Sequence, residues 1–429
     1  MPGRLLRPLG VRSIFWDQLE NYRQNGVLLA FLMNFPAATV QRPPSYSPEA
    51  VRAAAARGTP HLIRADTPDI VVVMSESLFD PTRVPGLSFA KDPLPNLHRL
   101  QHEAASGRLY SPVFGGGTAN TEFEVLTGHT TRFLPPGSVP YQQYVRRKQQ
   151  SLASIFQARG YRTEAVHMYH RWFWERERVY GYLGFERFIS MENVDLAGST
   201  GWYPEDSFLT REIVRALEAA VQPLFLFAVS VEAHGPYEPS RFPNSTVKVE
   251  GPLDDDARAE LITYVEAISH ADRELGELVR YLERRGRPTV LVFFGDHLPS
   301  LPRVLAQTGL VESVAAIDSL DIARRSFLYE VPLVLWNNLK PGPRALGALS
   351  PSFLGPLLLE EIGIPGTPYM DFLNTVRKQL PVVSPHLLCD ADGTLYDEMP
   401  DRLRGLEGDW WTLEYDALFG DDLLARDPG

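Results

Sequence analysis

Between Asp69 and Met74 the chain reads Asp-Ile-Val-Val-Val-Met, apolar after its first residue, and then turns polar at Ser75-Glu76-Ser77. A β-branched run bounded by turn signals has no polar face to show water, so it predicts a central parallel strand covered on both sides. Pro223 to Val231 (PLFLFAVSV) reads the same way and ends in Glu232-Ala233-His234-Gly235-Pro236-Tyr237. Pro288 to Phe294 (PTVLVFF) ends in Gly295-Asp296-His297, and a fourth run, Val331 to Trp336, stops at Asn337 and Asn338. Helical patterns alternate with these strands. Ser151 to Arg159 precedes a short strand, Tyr161 to His167, and Leu209 to Val221 leads into the second long strand. Leu261 to Arg285 places Leu261, Val265, Ile268, Leu275, Leu278 and Leu282 at helical spacing and stops at Gly286. The alternation predicts an α/β fold with a mostly parallel central sheet and helices on both faces. Ligands of such sheets gather beyond the carboxyl ends of the strands, where Glu76, His234, Asp296 and His297 all fall.

A chain of 429 residues holds one large α/β domain with appendages, or two domains. The expected division is residues 1–60, an opening helix and proline-rich linker; 61–375, the main domain; and 376–429, a small C-terminal α+β subdomain. This last part reads as a β-hairpin around Ala391-Asp392-Gly393 and a helix near Asp409 to Phe419. Asp390-Ala391-Asp392-Gly393 looks like the front of a calcium loop but lacks the downstream bidentate carboxylate, so a turn is expected. Gly26 to Val40 is the longest apolar stretch, and Asn34 and Pro36 break it short of the roughly 18 residues a spanning helix needs. Arg4, Arg7, Arg12 and Arg23 suggest a signal peptide, but Asp17, Glu20 and Asn21 stand where its apolar region belongs. A partly exposed helix from Ser13 to Phe35, packed on the body or skimming a membrane surface, fits better.

The formal charge of −11 argues against nucleic-acid partners and suits carboxylate-rich metal chemistry. One cysteine, Cys389, excludes an intrachain disulfide and a cysteine-rich zinc site.

Phe114-Gly115-Gly116-Gly117-Thr118-Ala119-Asn120-Thr121-Glu122-Phe123 predicts a tight loop delivering Thr118 to the first turn of a short helix that closes at Gly128. Unpaired N–H groups at a helix start favour a phosphate or another tetrahedral anion. Thr118 is then either a cap or a nucleophile, and a threonine hydroxyl attacks only when a base or metal activates it. Asp296, His297 and Glu76, all at strand ends, offer oxygen and nitrogen donors suited to zinc or manganese; the alternative is a hydrogen-bonded strand-end pair. A divalent ion there would stabilise a Thr118 alkoxide aimed at phosphorus. Arg176, in Trp172-Phe-Trp174-Glu-Arg176, is a candidate to hold phosphoryl oxygens, with Trp174 walling off the substrate. Alternatively, that segment simply buries one side of a half-exposed stretch. His234 either protonates a leaving alkoxide and holds a phosphoryl oxygen, or is a structural loop histidine. His167 and His170 are not counted among the metal ligands.

Taken together, ESLFD, GGGTANTEF, H-x-Y-x-x-x-F-W-x-R, H-G-P-Y and F-G-D-H resemble the lipoteichoic acid synthase and phosphoglycerol transferase family of the alkaline phosphatase/sulfatase-like superfamily. The similarity runs from about Phe15 to Gly420. It implies a nucleophile at Thr118, a metal ion (usually manganese, with zinc and magnesium as alternatives) held by Glu76, Thr118, Asp296 and His297, and substrate contacts from Trp174, Arg176 and His234. The implied reaction moves glycerol phosphate from phosphatidylglycerol, through a covalent phospho-threonine, to a glycan or glycerol-phosphate acceptor. It takes place outside the cytoplasmic membrane. Family members usually carry several transmembrane helices ahead of this region, and Phe15 to Phe35 resembles the helix after the last of them. The expectation is therefore either a piece of a longer anchored protein or a relative that works without its own anchor. The rivals are a sulfatase-like phosphodiesterase or phosphatase, a sulfuric ester hydrolase, and a binding protein with a relict site. The C/S-x-P-x-R pentapeptide of sulfatases is missing, and every ligand a relict would have lost is in place.

Overall fold

The computed structural model describes residues 18–34, 39–61, 67–199 and 201–426. The arginines at 4, 7 and 12, the start and end of the expected opening helix, and residues 62–66 lie outside these. Eight strands form the main sheet: β1 (Asp69–Ser75), β2 (Ala105–Tyr110), β3 (Arg162–His167), β4 (Arg187–Ser190), β5 (Leu224–Val229), β6 (Thr289–Gly295), β7 (Glu330–Asn337) and β8 (Arg344–Leu349). Their order is β8-β2-β7-β6-β1-β5-β3-β4. All run one way except β7, which is antiparallel to both neighbours. This is the expected mostly parallel sheet, with one correction to the reading of its fourth strand. Because β7 is reversed, Asn337 pairs with Val290 at the beginning of β6, so Asn337 and Asn338 stand at the end of the sheet away from the other strand ends.

Period-two alternation on β1 splits its side chains between two cores. Ile70, Val72 and Met74 face one apolar cluster and Val71 and Val73 the other. Neither face meets water, which is why the run carries no polar alternation.

Helices cover both faces. In chain order those used below are α1 (Gln18–Asn25), α2 (Val27–Asn34), α3 (Pro48–Ala55), α4 (Thr118–Thr127), α5 (Arg176–Leu183), α6 (Asp206–Ala219), α7 (Asp255–Arg285) and α8 (Arg404–Phe419). Phe123 and Leu126 of α4 pack into the first cluster, while Leu261, Leu275 and Leu282 of α7 pack into the second. The opening helix is not continuous: Gly26, at φ +74°, separates α1 from α2. Val27 and Leu28 are largely exposed there. No described helix is long and apolar enough to cross a membrane.

A second small sheet, β9 (Val382–Val383), β10 (Leu388–Cys389) and β11 (Leu395–Tyr396), is antiparallel throughout. Its hairpin turn is closed by Asp390, whose Oδ1 accepts from the N–H groups of Asp392 and Thr394. The aspartate run thus serves as a turn.

Candidate metal centre and active site

Adjacent strands β1 and β6 end in register, Ser75 opposite Gly295, so the next residues on each, Glu76 and Asp296, emerge side by side. Gly295 is required at this crossing. A Cβ there would lie 2.2 Å from the Leu78 carbonyl oxygen. Past the strand the chain turns: the Ser77 and His297 N–H groups both donate to Asp296 Oδ1, at 2.7 and 2.8 Å. The Asp296 carbonyl accepts from Ser111 and Thr121 hydroxyls. These bonds fix one carboxylate oxygen and aim the other, Oδ2, at a point where it has no hydrogen-bond donor.

His297 completes the arrangement. Its Nδ1 lies 2.9 Å from the Leu298 carbonyl, an acceptor only, so Nδ1 carries the proton. In the neutral ring Nε2 is then a lone pair, 3.2 Å from Asp296 Oδ2 and 3.7 Å from Glu76 Oε1. Ligand atoms of Glu76, Asp296 and His297 all lie within 4.8 Å of one another, and all three residues are buried. Acceptors facing one another without a donor need a proton or a cation between them. Burial, then the Glu76 charge, pushes the Asp296 carboxyl up to about 7. Burial disfavours the His297 charge, yet the Asp296 and Glu76 carboxylates raise its pKa overall. An orphaned carboxylate oxygen, an aimed imidazole lone pair and a second carboxylate fit a divalent cation with oxygen and nitrogen preference.

Thr118 is the first residue of α4, after Gly117 in the left-handed conformation at φ +93°. The cap position therefore belongs to Gly117, which has no side chain to offer, and the Thr118 hydroxyl is not spent on the helix. Its Oγ1 lies 3.4 Å from Glu76 Oε2 and 3.5 Å from His297 Nε2. Four residues picked from three distant segments thus converge.

The three expected substrate residues, Arg176, Trp174 and His234, are in different states. Arg176 is 1% exposed and not a free cation. Its Nε and Nη2 donate to Glu122 Oε1 at 3.0 and 2.5 Å, and Tyr180 donates to Glu122 Oε2. Burial opposes the guanidinium charge, but Glu122 outweighs it and holds the pKa above its ordinary value. Nη1 donates to the Phe173 carbonyl at 3.4 Å, which leaves one N–H on each of Nη1 and Nη2 to address an anion. Trp174 is half-buried on a left-handed backbone, φ 57°, followed by Glu175 at φ 57°. Two successive non-glycine residues in that region cost about 1–3 kcal/mol each, which the surrounding packing has to override. His234 is exposed. Its Nδ1 is 2.6 Å from the Gly235 carbonyl and 3.1 Å from the Tyr203 hydroxyl, and Nε2 has no partner among the described residues. Arg241 holds this loop by donating to the Glu232 and His234 carbonyls. His167 is buried, with Nδ1 bonded to the Val229 carbonyl, and burial followed by Arg176 drives its pKa well down. His170 pairs with Glu192.

Sequence reasoning passed over Glu122, Ser77 and Tyr203. Glu122 was legible in principle, because i and i+4 share a helix face and Thr118 is four residues before it. Ser77, at φ 52°, bonds both Glu76 and Asp296, and no local pattern announces that geometry.

A family model described as sulfatase matches residues 68–364, more than half the chain. A putative cyclic beta-1,2-glucan modification protein of Rhizobium meliloti is 40% identical over 423 residues, 96% of this chain. The chain spans 64% of that relative's length. Among solved structures, the Streptococcus pyogenes phosphoglycerol transferase GacH, in complex with sn-glycerol-1-phosphate, superposes with a TM-score of 0.75. That match is at 20% identity and covers 90% of this chain and 97% of the other. The Listeria monocytogenes lipoteichoic acid synthase LtaP gives a TM-score of 0.61, also at 20% identity, over 87% of this chain and 98% of its own. At such identities the two structures establish the fold.

Proposed function

Because the chain belongs to the sulfatase family, we propose that it is a metal-dependent phosphoglycerol transferase of that superfamily. It takes glycerol phosphate from phosphatidylglycerol and passes it to a glycan, on the outer side of a cytoplasmic membrane. One observation carries the reading: Thr118 Oγ1 stands 3.4 Å from a carboxylate oxygen and 3.5 Å from an imidazole nitrogen, at the open end of a buried helix. A cyclic glucan is the favoured acceptor, suggested by the name of the 40%-identical relative. Manganese is the favoured ion, held by Glu76, Asp296 and His297 with Thr118 beside it.

When bound, the cation supplies Lewis-acid stabilisation of the negative charge that develops as a threonine attacks phosphorus. The protein's own groups do the rest. The Thr118 proton leaves toward Glu76 Oε2 as Oγ1 bonds to phosphorus in line. The bond from phosphorus to the diacylglycerol oxygen breaks, and that oxygen takes the Nε2 proton of His234 in its imidazolium form, leaving a neutral ring. N–H groups at the start of α4 and the remaining N–H groups of Arg176 meet the phosphoryl oxygens, and Trp174 covers the glycerol. In the second half the same imidazole accepts a proton from the acceptor hydroxyl. The acceptor oxygen attacks phosphorus, the bond from phosphorus to Thr118 Oγ1 breaks, and Oγ1 takes back the proton held on Glu76 Oε2.

Incubation of the protein with phosphatidylglycerol vesicles and manganese, followed by intact-mass and peptide mass spectrometry, tests this. A glycerophosphate adduct on Thr118 is expected, and Thr118→Ala should lose both adduct and turnover by at least about a thousandfold. An unmodified wild-type protein, or a Thr118→Ala variant that still turns over, refutes it.

A further inference from the structure

Two of the exposed large apolar side chains are tryptophans in neighbouring aromatic segments: Trp172, 64% exposed, and Trp202, 53% exposed. Exposing such a side chain forgoes the burial that usually anchors it, so two of them on neighbouring segments ask for an occupant. From Trp172 a continuous path of rings leads to His234. Trp172 stacks on His170, with centroids 5.2 Å apart and planes at 17°. His170 meets Tyr169 at 5.1 Å, Tyr169 meets Tyr203 at 6.2 Å, and Tyr203 meets His234 at 5.2 Å. Trp202 precedes Tyr203 in the chain.

The rim of this ledge is polar and directional. Glu192 accepts from His170 and from the Arg171 N–H, while Arg171 Nη2 donates to the Asn193 side chain and Nη1 to Glu177. A lipid-embedded patch would be bordered by apolar residues and lysines, and carboxylates beside the tryptophan repel an anionic bilayer. A neutral sugar has the opposite needs. One face of a pyranose is a sheet of C–H groups that lies against the negative face of an indole, and its edge is a row of hydroxyls that exchange hydrogen bonds with carboxylate, guanidinium and amide.

We propose that the Trp172–Trp202 ledge is the acceptor subsite, binding a neutral glucan chain so that one of its hydroxyls reaches His234. This rests on the phosphoglycerol-transfer reading and specifies how its second half-reaction is served. Donor chemistry at Thr118 does not involve the ledge.

The test separates the two halves. Trp172→Ala, Trp202→Ala and the double variant are compared with wild type for the rate of Thr118 adduct formation from phosphatidylglycerol vesicles. They are also compared for transfer to a neutral β-glucan and to free glycerol. Adduct formation and transfer to glycerol should stay within about twofold, because surface substitutions of this kind seldom disturb a fold. The KM for glucan should rise several-fold for each single variant and by about tenfold or more for the double. An unchanged glucan KM overturns the proposal. So does a raised KM for vesicles with an unchanged KM for glucan, which would mark the ledge as a membrane contact. Should wild type form no adduct, the transferase reading fails. Calorimetric binding of the same glucan to wild type and the double variant then judges the ledge alone, with equal affinities refuting it.

Discussion

At the scale of single residues, the Glu76, Asp296 and His297 cluster stores an electrostatic conflict that a proton or a cation resolves. Asp296 has an ordinary carboxyl pKa of 3.8 when unfolded, and burial with Glu76 at its side raises it to about 7 in the fold. Between those values the native state keeps a proton that the unfolded chain has given up. Stability of chelator-treated protein from this group therefore falls as pH rises from about 4 to about 7. A divalent cation takes the proton's place, so its stabilising effect should grow over the same interval. At a free concentration a hundredfold above its dissociation constant, saturating manganese contributes about 2.7 kcal/mol. Thermal unfolding with and without manganese, at pH 5 and pH 8, measures this. The shift in Tm should be larger at pH 8, and Asp296→Asn should nearly abolish it at both. An equal shift at both pH values, or one that survives in the variant, would place the ion elsewhere.

At the scale of elements, α4 does more than present Thr118. Glu122, one turn further along, accepts from Arg176 and Tyr180 of α5, and so ties the nucleophile's helix to the helix that follows Trp174. Both partners of that ion pair are fully buried, so losing one leaves the other charged without water or partner. Glu122→Ala should cost about 3–5 kcal/mol in urea denaturation, whereas adding Arg176→Met to it should recover part of the loss. Additive losses would mean that the pair is not coupled. How far this was readable in the sequence follows from range. Glycines 115 to 117 and the helix from Thr118 are local features, and Ser75 to Ser77 and Gly295 to His297 announce themselves as polar ends of buried strands. That Ser75 stands opposite Gly295 is a fact about pairing over more than two hundred residues, and nothing near either residue encodes it. The Glu122–Arg176 bond, 54 residues apart, is hidden for the same reason, although the helical offset from Thr118 pointed at Glu122.

At the scale of the whole molecule, strands buried on both faces were legible and the half-exposed outer pair, the edge strand β8 and its neighbour β2, was not. β2 (Ala-Ser-Gly-Arg-Leu-Tyr) and β8 (Arg-Ala-Leu-Gly-Ala-Leu) carry small and polar residues because they lie at the side of the sheet where burial is partial. The reversal of β7 left no mark either, since a strand covered on both faces looks alike in both directions. The division of the chain at residues 60 and 375 is a claim about cooperative units, and packing bears on it. Trp410 of α8 is 1% exposed, lies 5.1 Å from the Phe353 ring, and donates from Nε1 to Tyr369. Tyr369 in turn donates to the carbonyl of Gly128, the residue that caps α4. Glu414, also on α8, accepts from the Thr130 N–H just beyond that cap. α8 further packs on α3, ahead of the first strand. Segments joined through one core unfold together, so Trp410→Ala should lose about 3–5 kcal/mol from the entire protein rather than from its last fifty residues. Far-ultraviolet dichroism and protection of the Thr118-containing peptide from hydrogen exchange, followed through the same urea titration, should shift to one common lower midpoint. Were the C-terminal part an independent subdomain, the α4 peptide would keep the wild-type midpoint while the dichroism split into two steps.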